Sequence, residues 1–282
     1  MVRVAIASGK GGTGKTLIST NLFSILEDYS LYIDCDVEEP NGHLFLKPQN
    51  IQSTDVNVLV PEVDESKCTH CGRCGEVCQY HAIISAKKKT LVFPELCHSC
   101  GNCVNFCSQK AISEKPRQIG VIEKGLYGTN TVLTGKLNIG EPMAPPVISQ
   151  LKSSIKNDSI TIIDSPPGTS CPVIEAIRDC DYVILVTEPT PFGLHDLGLA
   201  VEVVRKLRIP FGVVINKAGI GKEFVEEYCL NQGIKILLKI FHDIDIAKKY
   251  SEGELLTTSD HYKKIFIKLY ADIRAEMSEV IE

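Results

Sequence analysis

The segment VRVAIASGKGGTGKT, residues 2–16, decides the fold of this chain. Val2–Ala7 is a short apolar run that predicts a buried strand, and a helix is predicted from Lys15 to about Asp28. Between them the sequence fits the phosphate-loop pattern G-x-x-x-x-G-K-[ST] in full, over Gly9–Thr16. A chance glycine-rich turn is the alternative, but the strand before it and the helix after it favour a phosphate loop.

The parts of this loop have separate chemical roles. Glycines let backbone N–H groups turn toward phosphates, and the helix N-terminus adds partial positive charge there. Lys15 is expected to reach the β- and γ-phosphates, and the Thr16 hydroxyl is expected to bind Mg²⁺. The predicted nucleotide-binding residues of the loop are Gly11, Gly12, Thr13, Gly14, Lys15 and Thr16.

Strands alternate with helices along most of the chain. Further strands are predicted at Leu31–Asp34, Ser159–Ile163, Asp181–Thr187, Phe211–Ile215 and Ile234–Ile240. Three more helices are predicted: one that begins at Pro172, one that follows the strand at Asp181–Thr187 and runs through Leu207, and one near Glu223–Asn231. Such alternation predicts an α/β fold, with a mostly parallel sheet covered by helices on both faces. The alternation of Val56, Val58 and Val60 predicts a strand with one exposed face. Glycines and prolines between residues 119 and 146 predict turns or a hairpin.

A short region rich in cysteines and turns interrupts this pattern. Eight of the twelve cysteines lie between Cys68 and Cys107. We therefore predict three segments: a first part of the α/β domain at 1–61, a small α+β insert at 62–114, and a second part of the α/β domain at 115–282.

Two cysteine runs in the insert share the spacing C-x2-C-x2-C-x3-C. They are Cys68, Cys71, Cys74 and Cys78, then Cys97, Cys100, Cys103 and Cys107. Each run has the bacterial ferredoxin spacing, and the insert resembles a two-cluster ferredoxin. Paired C-x2-C motifs also form zinc sites, but the duplicated order of eight cysteines favours iron–sulfur clusters.

The resemblance implies two [4Fe–4S] clusters with crossed ligands, because the fourth cysteine of each run binds the other cluster. One cluster is expected on Cys68, Cys71, Cys74 and Cys107, and the other on Cys97, Cys100, Cys103 and Cys78. The proline that usually follows each fourth cysteine is replaced by Gln79 and Ser108, which affects the local turn geometry. His70 and His98 are expected to be surface loop residues, not ligands.

A second lysine inside the phosphate loop, Lys10, is typical of the deviant Walker A group. This chain resembles that group, which includes the septum-site ATPase MinD, ParA partition ATPases, the nitrogenase iron protein and Mrp-type iron–sulfur carriers. In the group this lysine crosses a dimer interface to the partner's nucleotide. The resemblance therefore implies a homodimer or paralogue heterodimer on ATP binding, with Lys10 acting in trans. A solvated loop lysine is the alternative.

Two further motifs carry the same resemblance. Asp34-Cys35-Asp36 matches the acidic switch I, which implies that Asp36 orients the attacking water. The stretch IIDSPPG, residues 162–168, matches the Walker B motif and switch II. By that match Asp164 holds Mg²⁺, through water, and the Gly168 N–H senses the γ-phosphate.

Base recognition is expected at Asn216, where the family uses an amide against adenine. A GTPase would carry N-K-x-D, but Asn216-Lys217-Ala218 is followed by Gly219. The guanine-reading carboxylate is missing, so ATP is favoured over GTP.

Cys171 stands at the start of a predicted helix, seven residues after Asp164. A helix N-terminus favours thiolate, and the nitrogenase iron protein has a cluster ligand at this offset. The resemblance implies a reactive or cluster-binding thiol, and a small buried residue is the alternative. Cys35, Cys180 and Cys229 are expected to pack as small hydrophobic residues.

Composition excludes several classes of protein. The chain has 282 residues, 44% of them hydrophobic, and a net charge of −5. With no basic stripe, a nucleic-acid partner is not expected. The phosphate loop, the missing signal peptide and the lack of a long apolar run predict a cytoplasmic protein. Apolar residues recur from about His261 to Ile281, which predicts a last helix packed on the sheet; a membrane-binding helix is the alternative.

These features together predict an ATPase that is slow and stimulated by a partner. ATP-driven dimer switching would control electron transfer to, or iron–sulfur or metallocofactor maturation of, a partner protein. The alternative is a positioning or partition ATPase whose clusters are structural or sensory.

Overall fold

The fold is built from eleven strands and ten α-helices within the residues that the structure, a computed structural model, describes: 2–26, 29–86, 88–155, 160–220 and 223–281. The strands are β1 (Val2–Ala7), β2 (Leu31–Asp34), β3 (Gln49–Val63), β4 (Ile83–Ala86), β5 (Lys89–Val92), β6 (Ile112–Tyr127), β7 (Asn130–Leu137), β8 (Ile160–Asp164), β9 (Tyr182–Thr187), β10 (Phe211–Ala218) and β11 (Ile236–Phe241). The helices are α1 (Lys15–Ser24), α2 (Gly42–Leu46), α3 (Arg73–Val77), α4 (Asn102–Asn105), α5 (Pro145–Lys152), α6 (Cys171–Ile177), α7 (Pro191–Leu207), α8 (Phe224–Asn231), α9 (Ile244–Ser251) and α10 (Asp260–Ile281).

Nine of the described strands form one sheet, in the order β11-β10-β9-β1-β8-β2-β7-β6-β3. The strands from β11 to β7 are parallel, and β6 and β3 are added antiparallel at one edge. The predicted α/β fold with a mostly parallel sheet is therefore confirmed. Since ligands bind beyond the carboxyl ends of parallel strands, the loops after β1, β2 and β8 position the site.

The sheet has an apolar core on each face. Neighbouring residues of β1 point to opposite sides: Ala5 packs with α5, α6, α7 and α8, whereas Val4 packs with α1, α2 and α10. The same alternation places Ile163 and Ile162 of β8 on opposite faces. Burial on both faces explains why these central strands are apolar throughout.

Several boundaries differ from the predictions. Helix α1 ends at Ser24, because Ile25 caps it and the Leu26 N–H bonds back to the Phe23 carbonyl. The predicted end at Asp28 lies outside the described residues, as does the predicted strand start at Ser159. Strand β10 continues to Ala218.

Residues 119–146 contain a hairpin, which is one of the two predicted alternatives. Strands β6 and β7 pair antiparallel through a turn at Gly128, where φ is +60°. Helix α5, beginning at Pro145, was not predicted; Pro145 and Pro146 occupy its first turn, where proline is tolerated. Helix α5 then packs on β7 and α6.

A long antiparallel ribbon connects the sheet to the cysteine-rich block. Strands β3 and β6 pair from Gln49↔Leu126 to Val63↔Ile112. On β3, Val56, Val58 and Val60 are buried, while the residues between them are exposed, as predicted. The block between Val63 and Ile112 thus sits at the end of two strands that also belong to the main sheet.

The backbone of the block repeats itself at the 29-residue offset of the sequence. Left-handed φ angles occur at three corresponding pairs: His70 and Ser99, Gly72 and Gly101, and His81 and Lys110. Short helices α3 and α4 follow the two glycines. The duplication seen in the cysteines is therefore a duplication of structure.

Helix α10 packs on the sheet, as predicted. Phe266, Leu269, Ile273 and Met277 are buried against the face that carries α1. Among the described helices none is long and apolar enough to cross a membrane.

Candidate functional site

The phosphate loop wraps around one end of a cavity of about 370 Å³. Gly12 and Gly14 have φ angles of +77° and +97°, which non-glycine residues rarely adopt. A Cβ on Gly9 would lie 2.1 Å from the Asp196 carbonyl oxygen of α7, so the loop also packs closely on that helix. The predicted Gly11, Gly12, Gly14, Lys15 and Thr16 all line the cavity. Thr13 is buried.

Three acidic residues stand at the ends of two neighbouring strands beside this cavity. Asp34 ends β2 and Asp164 ends β8, and the two lie opposite each other in the parallel register. Asp34 accepts backbone hydrogen bonds from Asp36, Asn41 and Gly42. Burial and the Asp164 charge raise the pKa of Asp34 well above its usual range. Asp34 therefore holds the backbone of residues 36–42 in place, and Asp36, the acid predicted to act in switch I, lines the cavity.

Asp164 has one satisfied and one unsatisfied oxygen. The Tyr32 hydroxyl donates to Oδ2 over 3.1 Å, and the Tyr32 oxygen also lies 3.1 Å from the Ser19 hydroxyl. Oδ1 is buried and has no hydrogen-bond partner among the described residues. Burial raises the pKa of Asp164, and the Lys15 ammonium lowers it.

These residues fit a Mg²⁺ ion. An unpartnered buried carboxylate oxygen, with the Thr16 side chain on the neighbouring helix, is the oxygen-rich donor set that Mg²⁺ prefers. Sequence reasoning missed Tyr32, since nothing in an apolar strand shows that a hydroxyl will meet the carboxylate of the next strand.

Asp36 is the most exposed of the three acids. Burial raises its pKa to about 6, against the opposing effect of the Lys15 charge. It lines the cavity together with Lys15 and Thr16. A carboxylate that titrates near neutral pH beside a phosphate site is suited to accept a hydrogen bond from water.

The Gly168 N–H donates over 3.0 Å to the carbonyl oxygen of Ser8, the residue before the phosphate loop. The segment predicted to be switch II is therefore bonded to the start of the loop in this structure. The predicted contact of Gly168 with a γ-phosphate requires this bond to be exchanged.

Asn216 stands at the other end of the loop, near the end of β10. Its amide donates to the Thr13 carbonyl oxygen over 2.9 Å, and its Oδ1 accepts from the Lys217 N–H. Asn216 also lines the cavity. The wall opposite is formed by residues that sequence reasoning missed: Phe241, His242, Asp243, Ile246, Ala247 and Tyr250. Apolar and ring atoms next to an amide suit a flat base.

Lys10 forms an ion pair within its own chain. Its Nζ lies 3.4 Å from Glu188 Oε2, and Lys217 pairs with Glu188 Oε1. The side chain of Glu188 is 13% exposed. Sequence reasoning did not find Glu188.

The structure brings the second predicted cysteine set together. Cys78, Cys97, Cys100 and Cys103 line one small cavity, so the fourth cysteine of the first run meets three of the second. Burial raises the pKa of Cys103 to about 11, and the facing Cys97 thiol adds to the rise. Thiols crowded in this way have lower pKa values once a metal takes their charge.

Backbone N–H groups donate to the thiol sulfurs at matching places in both runs. The Ala82 N–H donates to Cys78 Sγ and the Ala111 N–H to Cys107 Sγ, each over 3.3 Å. Hydrogen bonds to sulfur are a known control on the potentials of cysteine-bound clusters. The donor to Cys78 and the shared cavity fit a [4Fe–4S] group on the second set, and the donor to Cys107 is its counterpart in the first set.

The first predicted set has no buried cysteine, whereas Cys97 of the second set is buried; each set has one exposed cysteine, Cys71 and Cys100. Burial raises the pKa of Cys74, with smaller effects from the Cys68 and Cys71 thiols. Cys68 Sγ lies 3.5 Å from the Thr90 hydroxyl of β5. The described residues contain no group of three or more His, Cys, Asp or Glu side chains spaced for a single metal ion. In a [4Fe–4S] group each iron takes its own cysteine, so the four thiols stand farther apart than ligands of one ion.

The two histidines of the motifs have different surroundings. His98 stacks on Tyr80, with ring centroids 3.5 Å apart, beside the second set. His70 Nε2 lies 3.5 Å from Glu65 Oε2, and its side chain is 20% exposed. His70 is therefore more buried than a surface loop residue, because it packs between Glu65 and Thr90.

Of the four remaining cysteines, three are buried and one is exposed. Cys35, Cys180 and Cys229 are buried, as predicted, and burial raises the pKa of each. Cys171 is exposed at the first residue of α6, so the alternative of a small buried residue is wrong.

Comparisons with known proteins agree with this geometry. A Methanocaldococcus jannaschii protein, called uncharacterized, is 33% identical over 99% of this chain and 96% of its own length. The iron-sulfur cluster carrier protein of Aquifex aeolicus is 25% identical over 99% of this chain and 68% of its own length. The septum site-determining protein MinD of Pyrococcus horikoshii, solved with Mg-ADP, superposes with a TM-score of 0.61 at 19% identity, covering 96% of this chain and 95% of MinD.

The family profile of the CobQ/CobB/MinD/ParA nucleotide binding domain matches residues 4–256. That span includes the phosphate loop, both acidic switches, the cysteine block and Asn216. The chain is a member of the CobQ/CobB/MinD/ParA nucleotide-binding family, related to iron–sulfur cluster carrier proteins.

Proposed function

We propose that this protein is an ATPase whose nucleotide-driven dimer switching controls electron transfer from two [4Fe–4S] clusters in the insert to a partner protein. The observation that carries the proposal is the packing of the second cysteine set. Cys97 belongs to the same apolar core as β1, β8 and α5, and its Sγ lies 3.9 Å from the Leu59 carbonyl oxygen of β3. A change in the sheet therefore reaches that set through packed atoms.

A continuous set of contacts links switch I to this set. The Val37 carbonyl, one residue after Asp36, accepts from the Leu137 N–H over 2.8 Å. The next residue, Asn138, donates its N–H to the Ile119 carbonyl of β6. Strand β6 pairs with β3, which meets Cys97. Nucleotide binding that moves switch I would thus shift the ribbon that supports the cysteines.

The residues around the cavity are arranged for hydrolysis of ATP. Bound Mg²⁺, held by Thr16 and Asp164, would neutralise phosphate charge. Lys15 stabilises charge on the β- and γ-phosphates, and Asp36 accepts a hydrogen bond from the attacking water. Lys10 supplies a further positive charge to the partner's nucleotide. Asn216 and the apolar wall around Tyr250 hold the adenine.

The clusters, when bound, supply one-electron redox chemistry. Burial of Cys97 and the N–H donors to sulfur hold a cluster in place, which favours electron transfer over release of the cluster. The iron-sulfur cluster carrier relatives make cluster delivery the second candidate function. Exposed Cys171, at the start of α6 after switch II, is the residue we assign to it.

A retention experiment separates the two. Protein reconstituted with ⁵⁷Fe clusters is incubated with an iron chelator and with Mg-ATP. Two quantities are then measured on the same sample: the loss of iron and the rate of electron transfer to a dye. The electron-transfer function predicts that ATP changes the rate at which the dye is reduced while both clusters stay bound. Loss of iron on addition of ATP, abolished in Cys171→Ala, would contradict it and indicate a carrier.

A further inference from the structure

Glu188 connects the phosphate loop to the end of β10. Its carboxylate pairs with Lys10 of the phosphate loop and with Lys217, the residue after the base-recognising Asn216. Each oxygen of the carboxylate takes one lysine. The side chain is 13% exposed, against 32% for Lys10 and 45% for Lys217, so the carboxylate is the buried centre of this ion triad.

The turn that carries Glu188 is held tightly. The Thr190 N–H donates to the Glu188 carbonyl over 2.8 Å, and the Thr190 hydroxyl accepts from the Gly193 N–H at the start of α7. A Cβ on Gly193 would lie 2.3 Å from the Glu188 carbonyl oxygen, so the helix start and the turn are in contact. The backbone that carries the Glu188 carboxylate is therefore held in place, and the Lys10 side chain extends to reach it.

This pairing conflicts with the action of Lys10 in trans. One ammonium group cannot remain on its own subunit's carboxylate while it binds the partner's nucleotide. When Lys10 leaves, Glu188 keeps Lys217, so the buried carboxylate is never left without a cation. The triad has two arrangements that differ by one partly exposed ion pair, which is a small free-energy difference.

We propose that Glu188 is a positioning residue that holds Lys10 in its own subunit and so raises the Kd of the dimer that forms with Mg²⁺ and an ATP analogue. This inference rests on the proposed dimer switch. Lys217 competes with Lys10 for the same carboxylate. Removing Glu188's charge then favours the dimer, whereas removing Lys217's charge strengthens the hold on Lys10 and opposes the dimer.

The two substitutions give opposite predictions. Sedimentation velocity with saturating Mg²⁺ and a non-hydrolysable ATP analogue measures the dimer Kd. Glu188→Gln is expected to lower Kd by roughly tenfold, since an exposed pair contributes about two- to fivefold and each dimer contains two. Lys217→Gln is expected to raise Kd several-fold. Glu276→Gln, which removes the same charge from the α10 pair with Lys235, is the matched control and leaves Kd unchanged.

The outcomes are distinguishable. If the wild-type protein dimerises, and Glu188→Gln has the same or a higher dimer Kd at unchanged thermal stability, the role of Glu188 alone is overturned. A shift of both variants in the same direction also overturns it, because that is what loss of local structure would produce. A wild-type protein that stays monomeric with the analogue overturns the dimer switch itself.

Discussion

At the scale of single residues, the site is a set of charges whose environments differ. Asp34 is buried and accepts backbone hydrogen bonds, Asp164 has one buried oxygen with no hydrogen-bond partner among the described residues, and Asp36 lines the cavity. Sequence and resemblance identified Asp36 and Asp164. They did not find Tyr32 or Glu188, because both act through contacts across strands that are far apart in sequence.

The raised pKa of Asp36 predicts the pH dependence of hydrolysis. Burial raises this pKa to about 6, so the ionised form that accepts from water is present above pH 6 and is lost as the pH falls. The rate at saturating Mg-ATP is expected to fall with pH through about 6, approaching tenfold per unit below it. A phosphate-release assay from pH 5 to 8 measures this.

Asp36→Asn provides the comparison for that profile. The variant is expected to hydrolyse ATP about 10²-fold more slowly at pH 7.5 and to lose the fall in rate below about pH 6. A wild-type rate that is flat from pH 8 to 5, or an Asp36→Asn variant that keeps this fall in rate, would show that another group controls the reaction.

At the scale of elements, the sequence predicted most of the parallel strands and missed their edges. Strands buried on both faces have a continuous apolar signal, so β1, β2 and β9 were found within a residue or so. Of the antiparallel ribbon of β3 and β6, only the strand around Val56, Val58 and Val60 was predicted, since the outer half of the ribbon is polar and its pairing spans the whole insert. Helix α5 was missed because its two prolines predict turns, although they fit its first turn.

The packing of α10 makes a prediction with a neighbouring control. Phe266 is fully buried, and the next residue, Ile267, is 48% exposed. Phe266→Ala is expected to lower the free energy of unfolding by about 3–5 kcal/mol, through lost burial and a cavity. Ile267→Ala is expected to change it by less than about 0.5 kcal/mol. Urea unfolding followed by circular dichroism compares them; equal effects would indicate that α10 is not packed as described.

At the scale of the whole molecule, the ferredoxin-like block is not attached by a flexible linker. Its flanking strands are continuous with the main sheet, and Cys97 shares the core of that sheet. The resemblance to two-cluster ferredoxins implied which cysteines belong together, and in the structure Cys78 lines one cavity with Cys97, Cys100 and Cys103. The link from switch I to Cys97 could not be predicted, because it depends on hydrogen bonds between backbones of distant segments.

The central claim is that nucleotide state and cluster potential are energetically coupled. The direct test is an EPR-monitored redox titration of the anaerobic protein, with and without Mg-ATP, with Lys15→Ala as the variant that weakens phosphate binding. The account predicts that ATP shifts the potential of the cluster on Cys78, Cys97, Cys100 and Cys103 by about 60 mV, a tenfold change for one electron, and that Lys15→Ala loses the shift. Two cluster signals whose potentials stay the same while ATP is bound would contradict it.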